Sequence, residues 1–482
     1  MAVASPARVT ALSLLGDQRR RAGHARDLLR GARDMQTLGT KARALATRLV
    51  LGVNVASGEL DRRIDALVTR ANKLEPRVRD ALRLAVFELL YLDTPRQVAV
   101  SQGVELVRSV QPRAARLANA VLRRVAAERP EVDAARDAVA RAAAGEATAT
   151  AEELCHASGY PARLVEELAS SIGARGVAAA CACALDPAPV YVSCGRPGDD
   201  ATQVAADLVE AGLAPERAGL PGSWRLGRPA GLARSGLVAS CEVAAADLAA
   251  QLVCRVALPA SGRVLEVGQG RGTKTLLLAR TASDAGVRGV QIRGCELVES
   301  KVRATRDRLV AAGIDGVASA TVFDALRLGE TDALPPALAG SFESVLVDAP
   351  CSGTGTMRRH PEIPWALQPS ALDSDAEGSL PSLQLAMLRA VSSRVAPGGS
   401  LVYATCSVLN VENEGVVAAF LATEEGRGFE HASVLDAPGV RALSEEGRSL
   451  VEAWLTDSGA FRSVPTGGSH DGHFCARLVR RR

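Results

Sequence analysis

The chain has 482 residues, 47% of them hydrophobic and only 3% aromatic, with 57 Lys and Arg against 54 Asp and Glu and a formal net charge of +3. That length implies roughly two to four domains, the apolar content suffices for real cores, and the scarcity of aromatic residues argues against a base-stacking aromatic sheet as the main reader of a nucleic acid. No stretch approaches the ~20 uninterrupted apolar residues of a membrane span, and the N-terminus, with Arg8, a short apolar run and then Asp17 to Arg21, has no convincing signal h-region or cleavage site; a cytoplasmic protein with reduced thiols is expected.

Charge is uneven along the chain. Residues 1–130 hold 24 Lys and Arg against 12 Asp and Glu, which leaves 33 against 42 for the rest. The same region reads as all helix: Val78, Leu82, Ala85, Val86, Leu89 and Leu90, and again Leu117, Val121, Leu122 and Val125, recur at helical spacing and supply apolar stripes for a bundle, with arginines on the other faces. A charge run is as often a solvated face as a binding surface. An RNA partner favours the second, because phosphate contacts dominate nucleic-acid affinity. After Arg129-Pro130 the alanine-rich residues 131–150 read as a helical connector or a loose linker. Residues 151–237 read as helix, helix, strand, helix, with Pro187-Ala-Pro189 breaking before a strand from Val190 to Ser193. This small α/β piece is expected to pack on the next domain in the chain and to help form a cleft.

Residues 238–482 read as alternating strands and helices. Arg263 to Val267 is a strand, and Gly268-Gln269-Gly270-Arg271-Gly272 turns into a helix that begins near Thr273 with Lys274 in its first turn. Glycines there let a backbone approach a ligand and expose the helix N-terminus. The next strand, Gly289 to Cys295, ends in Glu296, placed to accept from ribose hydroxyls, and a further strand, Ala320 to Phe323, ends in Asp324. Glu266, Glu296, Asp324 and Asp348 thus line a nucleoside-shaped crevice with carboxylates, which disfavours a pyrophosphate and suits S-adenosylmethionine, whose sulfonium is a cation. Lys274, one of four lysines, is placed to meet that ligand's carboxylate, although a solvated charge on a first helical turn is as common.

Two loop signatures carry the chemistry. The strand Ser344 to Asp348 stops at Ala349-Pro350-Cys351-Ser352-Gly353; later Pro397-Gly398-Gly399 makes a turn, Ser400 to Ala404 reads as a strand, and Thr405-Cys406-Ser407 comes directly after it. In open parallel sheets ligands collect outside the carboxyl ends of strands, so both thiols can face one crevice. Packing is the commoner role of a free cysteine, and eight of the ten, including Cys181, Cys183, Cys254, Cys295 and Cys475, are assigned to it. Cys351 and Cys406 differ because Pro, Gly, Ser and Thr flank them after strands. No CxxC pair occurs, so zinc or a thioredoxin-like couple has no support.

The motifs DAPCSGTG with MRRHPEI, YATCSV with ENE, and the terminal DGHFCARL resemble the RsmB (Fmu/Sun) family of ribosomal RNA cytosine-5 methyltransferases, within the wider group that includes the NOL/NSUN enzymes. The likeness covers nearly the whole chain and is most specific from Val238 to Arg482. Segments Leu38 to Asn54, Glu75 to Leu92 and Asn119 to Arg124 resemble the NusB-like RNA-binding helical domain that begins this family. The resemblance implies Cys406 as nucleophile, Cys351 as the cysteine that assists product release, and Asp348 beside the target base, with the cofactor on Gly268, Gln269, Gly270, Arg271, Gly272, Thr273, Lys274, Glu296, Asp324 and Asp348. Two departures stand out. Where family members commonly read Ala-Ala-Pro-Gly-Gly-Lys, this chain reads Gln269-Gly-Arg-Gly-Thr-Lys274, and residues 190–242 lack the usual Arg-Val-Asn and Gln-Asp pairs, showing Tyr191-Val-Ser193 and Cys241-Glu242.

The expected architecture is therefore an all-α NusB-like domain at 1–130, a connector at 131–150, a small α/β subdomain at 151–237, and at 238–482 a seven-stranded class I, Rossmann-type, S-adenosylmethionine-dependent methyltransferase domain. The expected reaction is methylation of carbon 5 of a cytidine in 16S rRNA by a monomer without metal or membrane. The alternatives are the same chemistry on tRNA, and a non-catalytic antitermination-like RNA-binding factor; retention of both cysteines, the carboxylates and the Gly loop argues against the latter.

Overall fold

A computed structural model describes residues 3–21, 25–330 and 334–482. The chain forms two compact units. One comprises the residues up to Pro187 with Thr356–Gln368 and Pro465–Gly468; the other comprises Ala188–Gly355, Pro369–Val464 and Ser469–Arg482.

The regular structure described in the first unit is helical. Helix Pro76–Tyr91 lies at its centre: Glu75 caps it by accepting from the Val78 N–H at 3.1 Å, and Pro76 occupies the first turn, where a missing N–H is harmless. The residues expected as an apolar stripe are all buried, but so are Leu84, Phe87 and Tyr91. The helix is enclosed all round rather than along one face, and its acids are paired accordingly. Glu88 accepts from Arg8 Nε at 2.8 Å, and Asp80 pairs with Arg83 at 3.2 Å and with Arg19. The alanine-rich stretch is a helix, Arg129–Ala144, closed by Gly145 at φ 83°, so the loose-linker alternative falls. Thr150 and Glu153 then form a reciprocal capping box that starts helix Ala151–Ser158.

The stretch 151–237, expected as one α/β piece, is divided. Helices Ala151–Ser158 and Ala162–Ala182 belong to the helical unit, and the residues from Ala188 onward belong to the sheet unit. The run from Asp348 to Trp365 is divided too, since Thr356–Gln368 belongs to the helical unit. There the Trp365 indole donates to the carbonyls of Val55 at 2.7 Å and Gly159 at 3.2 Å. Its ring lies where a side chain at Gly58 would be: a Cβ there would fall 2.1 Å from it.

The second unit holds two sheets. Strands β1 (Tyr191–Cys194), β2 (Pro215–Arg217), β3 (Ser223–Leu226) and β4 (Val243–Ala245) form a small antiparallel sheet in the order β2-β3-β1-β4. Only β1 was legible in advance, where the Pro187-Ala-Pro189 break sets off the run Val190-Tyr191-Val192. The larger sheet contains β5 (Arg263–Val267), β6 (Gln291–Glu296), β7 (Ala318–Val322), β8 (Phe342–Asp348), β9 (Val395–Thr405), β10 (Phe429–Ala432), β11 (Phe461–Ser463) and β12 (His473–Arg480), ordered β10-β12-β9-β8-β5-β6-β7 with β11 paired on β12. Strands β5 to β9 pair in parallel and β12 runs antiparallel to β9. Order reverses between β5 and β8, which opens a crevice at their carboxyl ends. The expected turn at Pro397-Gly398-Gly399 lies inside β9 as an irregularity: pairing with β8 jumps from Phe342↔Val395 to Ser344↔Ser400.

Gly52, in helix Thr40–Val55, has no room for a side chain: a Cβ would lie 1.9 Å from the buried Phe87 ring. Gly52→Ala should therefore lower stability by about 1–3 kcal/mol, despite alanine's better helix propensity. Thermal unfolding checks this, and an unchanged or raised midpoint would mean that the ring yields.

Candidate active site

The site begins with register. Parallel pairing of β8 with β9 sets Asp348 level with Ala404, so the loops that leave the two strands start side by side. Backbone bonds join them directly: Ala349 N donates to the Ala404 carbonyl at 3.0 Å and Gly355 N to the Cys406 carbonyl at 2.9 Å. Side chains complete the join. Thr354 and Ser407 hydroxyls lie 3.0 Å apart, and Val408 N donates to Thr354 Oγ1 at 3.2 Å. The consequence is that Cys351 and Cys406, 55 residues apart, bring their sulfurs to 3.2 Å.

At that distance one thiol hydrogen-bonds the other. The bond from Cys351 draws Cys406 below the ordinary thiol range against the effect of burial, with the Lys274 ammonium helping. The same bond, then burial, pushes Cys351 well above it. Of the two, Cys406 is therefore the more readily ionised and Cys351 the more readily kept as a thiol. Seven of the other cysteines are buried and Cys155 is half-buried. Burial raises Cys155 and Cys194 to about 11 and Cys181 and Cys295 to about 12, as expected of packing thiols.

Lys274 does not project freely from its helix, Thr273–Asp284. Its ammonium meets Asp348 at 2.6 Å, and although burial works against the charge, that partner holds its pKa above the ordinary lysine value. The loop before it is built on glycines at φ 78°, 59° and 75°, Gly268, Gly270 and Gly272. A Cβ on Gly268 would fall 2.5 Å from the Asp348 carbonyl, so only glycine lets β5 and β8 end so close together. Glu296 ends β6 and accepts from Gly270 N and Val298 N, both at 3.0 Å; Asp324 accepts from Leu326 N at 3.0 Å. Arg308 Nη1 braces the loop from outside through the Arg271 carbonyl at 3.1 Å and Thr273 Oγ1 at 2.9 Å.

Two expectations change. Glu266 does not line the crevice with the other acids: it is 1% exposed and accepts from Thr275 Oγ1 at 2.6 Å. As the penultimate residue of β5 its side chain points to the opposite face from that of the last. Gln269 likewise turns inward, donating to Thr275 Oγ1 at 3.0 Å and Ser319 O at 3.3 Å over Gly294. Sequence reasoning also gave no role to Glu412, fully buried beneath the Cys351 loop, where it accepts from Ser352 N at 2.8 Å and Gln384 Nε2 at 3.1 Å. Its only signal is an acid in the ENE motif.

Residues 260–479 match the family model described as 16S rRNA methyltransferase RsmB/F, and residues 6–127 match that of the NusB family. Residues 260–479 are an RsmB/F methyltransferase domain. It is 26% identical over 455 residues to the probable ribosomal RNA small subunit methyltransferase B of Bacillus subtilis, covering 94% of this chain and 93% of the relative. The ribosomal RNA small subunit methyltransferase B of Klebsiella pneumoniae is 28% identical over 457 residues, covering 93% and 92%. The fold matches the crystal structure of PH0851 with a TM-score of 0.69 at 19% identity over 99% of each chain, and that of NSun6 from Pyrococcus horikoshii with 0.51 at 14% identity over 67% and 99%. An RsmB/F domain behind a NusB-family domain is thus an RNA methyltransferase, on the Rossmann-like sheet expected. Among the described residues no helix is long and apolar enough to cross a membrane, and no group of three potential metal ligands occurs.

Burial pushes the Glu266 carboxyl of this RsmB/F domain up to about 8, only partly offset by the Thr275 hydrogen bond and Lys274. Its unfolded value is ~4.3. Folding therefore takes up a proton, and the stability this group contributes is fully present below the unfolded value and is lost as pH rises toward the folded one. Glu266→Gln cannot ionise. Its melting temperature relative to the native protein should rise as pH goes from about 5 to about 9; a gap that stays flat or narrows would remove the assignment of a protonated acid.

Proposed function

We propose that this chain methylates carbon 5 of a cytidine in 16S rRNA, with S-adenosylmethionine as donor, through a covalent bond between Cys406 and carbon 6 of the base. The observation that carries the reading is the thiol pair, 3.2 Å apart, beside the Lys274–Asp348 ion pair at the sheet's switch point. Carbon 5 of cytosine is a poor nucleophile. Addition of the Cys406 thiolate to carbon 6 makes an enamine whose carbon 5 is reactive. In this reading the Asp348–Lys274 pair hydrogen-bonds the ring nitrogen N3 and stabilises charge developing there. A base then takes the carbon-5 proton while the carbon 6–sulfur bond breaks and returns its electron pair to Cys406, and Cys351, against that sulfur, assists this release. The base must leave any helix to offer its face to the thiolate.

S-adenosylmethionine supplies an electrophilic methyl group when bound. The residues suited to hold it are Gly268 to Lys274 with Glu296, Asp324 and Asp348, and the crevice fits such a ligand. Above Gly270 a Cβ would meet only the Gly268 carbonyl, at 3.9 Å, so the loop opens onto space. Carboxylates at three strand ends favour ribose hydroxyls and a sulfonium cation over phosphate.

The RNA reading gains support from how the N-terminal charge is used. Arg8, Arg19, Arg62, Arg63, Arg79, Arg83 and Arg129 are held in ion pairs. Arg113, Arg116, Arg123 and Arg124 are exposed and form no ion pair among the described residues, and the last three share one face of helix Ala115–Val125. Changing these four to Gln should weaken binding of 16S rRNA fragments and flatten its dependence on log salt by about 0.7–0.9 for each phosphate that is no longer neutralised. An unchanged slope would return this face to plain solvation.

The two cysteines are separable by experiment. With labelled RNA and S-adenosylmethionine, Cys406→Ala should give neither methylation nor adduct, whereas Cys351→Ala should leave a slow protein–RNA band on denaturing gels that the double variant lacks. A band from Cys406→Ala alone would exchange the two roles, and none from either would remove the covalent route.

A further inference from the structure

We propose that Glu412 is a positioning residue for Cys351, holding the thiol in register with Cys406 for the release half of the reaction; this rests on the function proposed above. Glu412 is 0% exposed and forms no ion pair among the described residues. An isolated buried carboxylate costs several kcal/mol unless its lone pairs are well used, so a loop that needed only closing would be better served by a neutral side chain.

The use made of this one is specific. One oxygen accepts from Ser352 N at 2.8 Å and from Gln384 Nε2 at 3.1 Å, and the other accepts from Ser352 Oγ. Gln384 Nε2 also donates to the Pro350 carbonyl at 2.8 Å. Pro350 and Ser352 are the two neighbours of Cys351, so the Glu412–Gln384 pair grips its backbone from both sides. Glu412 is itself fixed: its carbonyl accepts from the Tyr403 hydroxyl at 2.5 Å. The Cys406 loop has a tie of its own besides the Gly355 and Thr354 bonds that join it to the Cys351 loop: Asn413 accepts from Thr405 Oγ1 at 2.6 Å and donates to the Ser407 carbonyl at 3.0 Å. Adjacent residues of one motif therefore hold opposite halves of the thiol pair. The Glu412 charge also adds, after the Cys406 hydrogen bond and burial, to the influences that keep Cys351 a thiol.

Because Cys406 is held by other bonds, loss of Glu412 should spare attack and impair release. A misplacement of ~1 Å can cost on the order of a hundredfold. Glu412→Ala should therefore form the RNA adduct at a near-native rate, release product on the order of a hundredfold more slowly, and accumulate the same denaturation-resistant band as Cys351→Ala. Glu412→Gln, which keeps an acceptor for Ser352, should recover most of the turnover. Should the alanine variant fail to fold, Ser352→Ala combined with Gln384→Met removes the Ser352 Oγ bond and both Gln384 bonds, leaving only the Ser352 N–H on Glu412, and should accumulate the same band. Adduct formation and turnover lost together, turnover unchanged, or no recovery by Gln would each overturn the proposal.

A second measurement does not depend on the reaction. Diamide oxidises a thiol pair to a disulfide and is itself reduced to the hydrazine. The rate at which it joins Cys351 to Cys406, followed by peptide mass spectrometry, should fall at least tenfold in Glu412→Ala and recover in Glu412→Gln. Equal rates in native protein and Glu412→Ala would overturn the positioning role even if the adduct experiments succeed. If Cys351→Ala gives no adduct while the disulfide rate falls as expected, the reaction reading fails and the placement of Cys351 by Glu412 stands.

Discussion

Everything distinctive about the site depends on one parallel pairing, that of β8 with β9. Strand pairing fixes distance along both chains at once, so setting Asp348 opposite Ala404 determines how far into the crevice each succeeding loop can carry a sulfur. The irregularity at Pro397-Gly398-Gly399 lies at the far end of the same pair, where the shift from Val395 to Ser400 is absorbed before the strands reach the crevice. A slip of one residue at the carboxyl end would turn every side chain on β9 to the opposite face. The core around Val345, Val347, Leu401 and Tyr403 forbids that slip.

The polar groups below the crevice divide into two kinds. Lys274 and Asp348 neutralise each other at its edge, with side-chain exposures of 17% and 32%. Glu266 and Glu412 lie deeper, and each meets the penalty of burial differently. Glu266 does so by binding a proton, Glu412 by accepting several hydrogen bonds from neighbouring loops.

Much of this could be read from the sequence. Short β-branched runs that end abruptly in Pro, Gly, Ser or Thr placed β5, β8 and the end of β9, and the helix at Thr273 began where its glycines stop. Other features were hidden for physical reasons. β2, β3 and β4 are three or four residues long, too brief for alternation to register, and lack the run of strand-forming residues after a proline break that marked the equally short β1. Glu266 sits one residue before a strand end, where a shift of one position moves a side chain from crevice to core. The enclosure of helix Pro76–Tyr91 depends on helices brought against it from distant parts of the chain. Glu412 was invisible as a functional group because its partner Ser352 lies 60 residues away, and no periodicity links them.

The position of Trp365 has a consequence for how this chain can be divided. Because Thr356–Gln368 and Pro465–Gly468 belong to the helical unit, the polypeptide passes between the two units five times, although each is compact. A gene fragment starting at Ala188 would keep both cysteines of the thiol pair, yet it would present the Trp365 ring without Gly58 and its indole N–H without the Val55 and Gly159 carbonyls. That unsupported segment starts one residue after Gly355, whose amide is bonded to the Cys406 carbonyl. The sheet unit therefore cannot be lifted out by a single cut, because two segments that interrupt it belong to the helical unit.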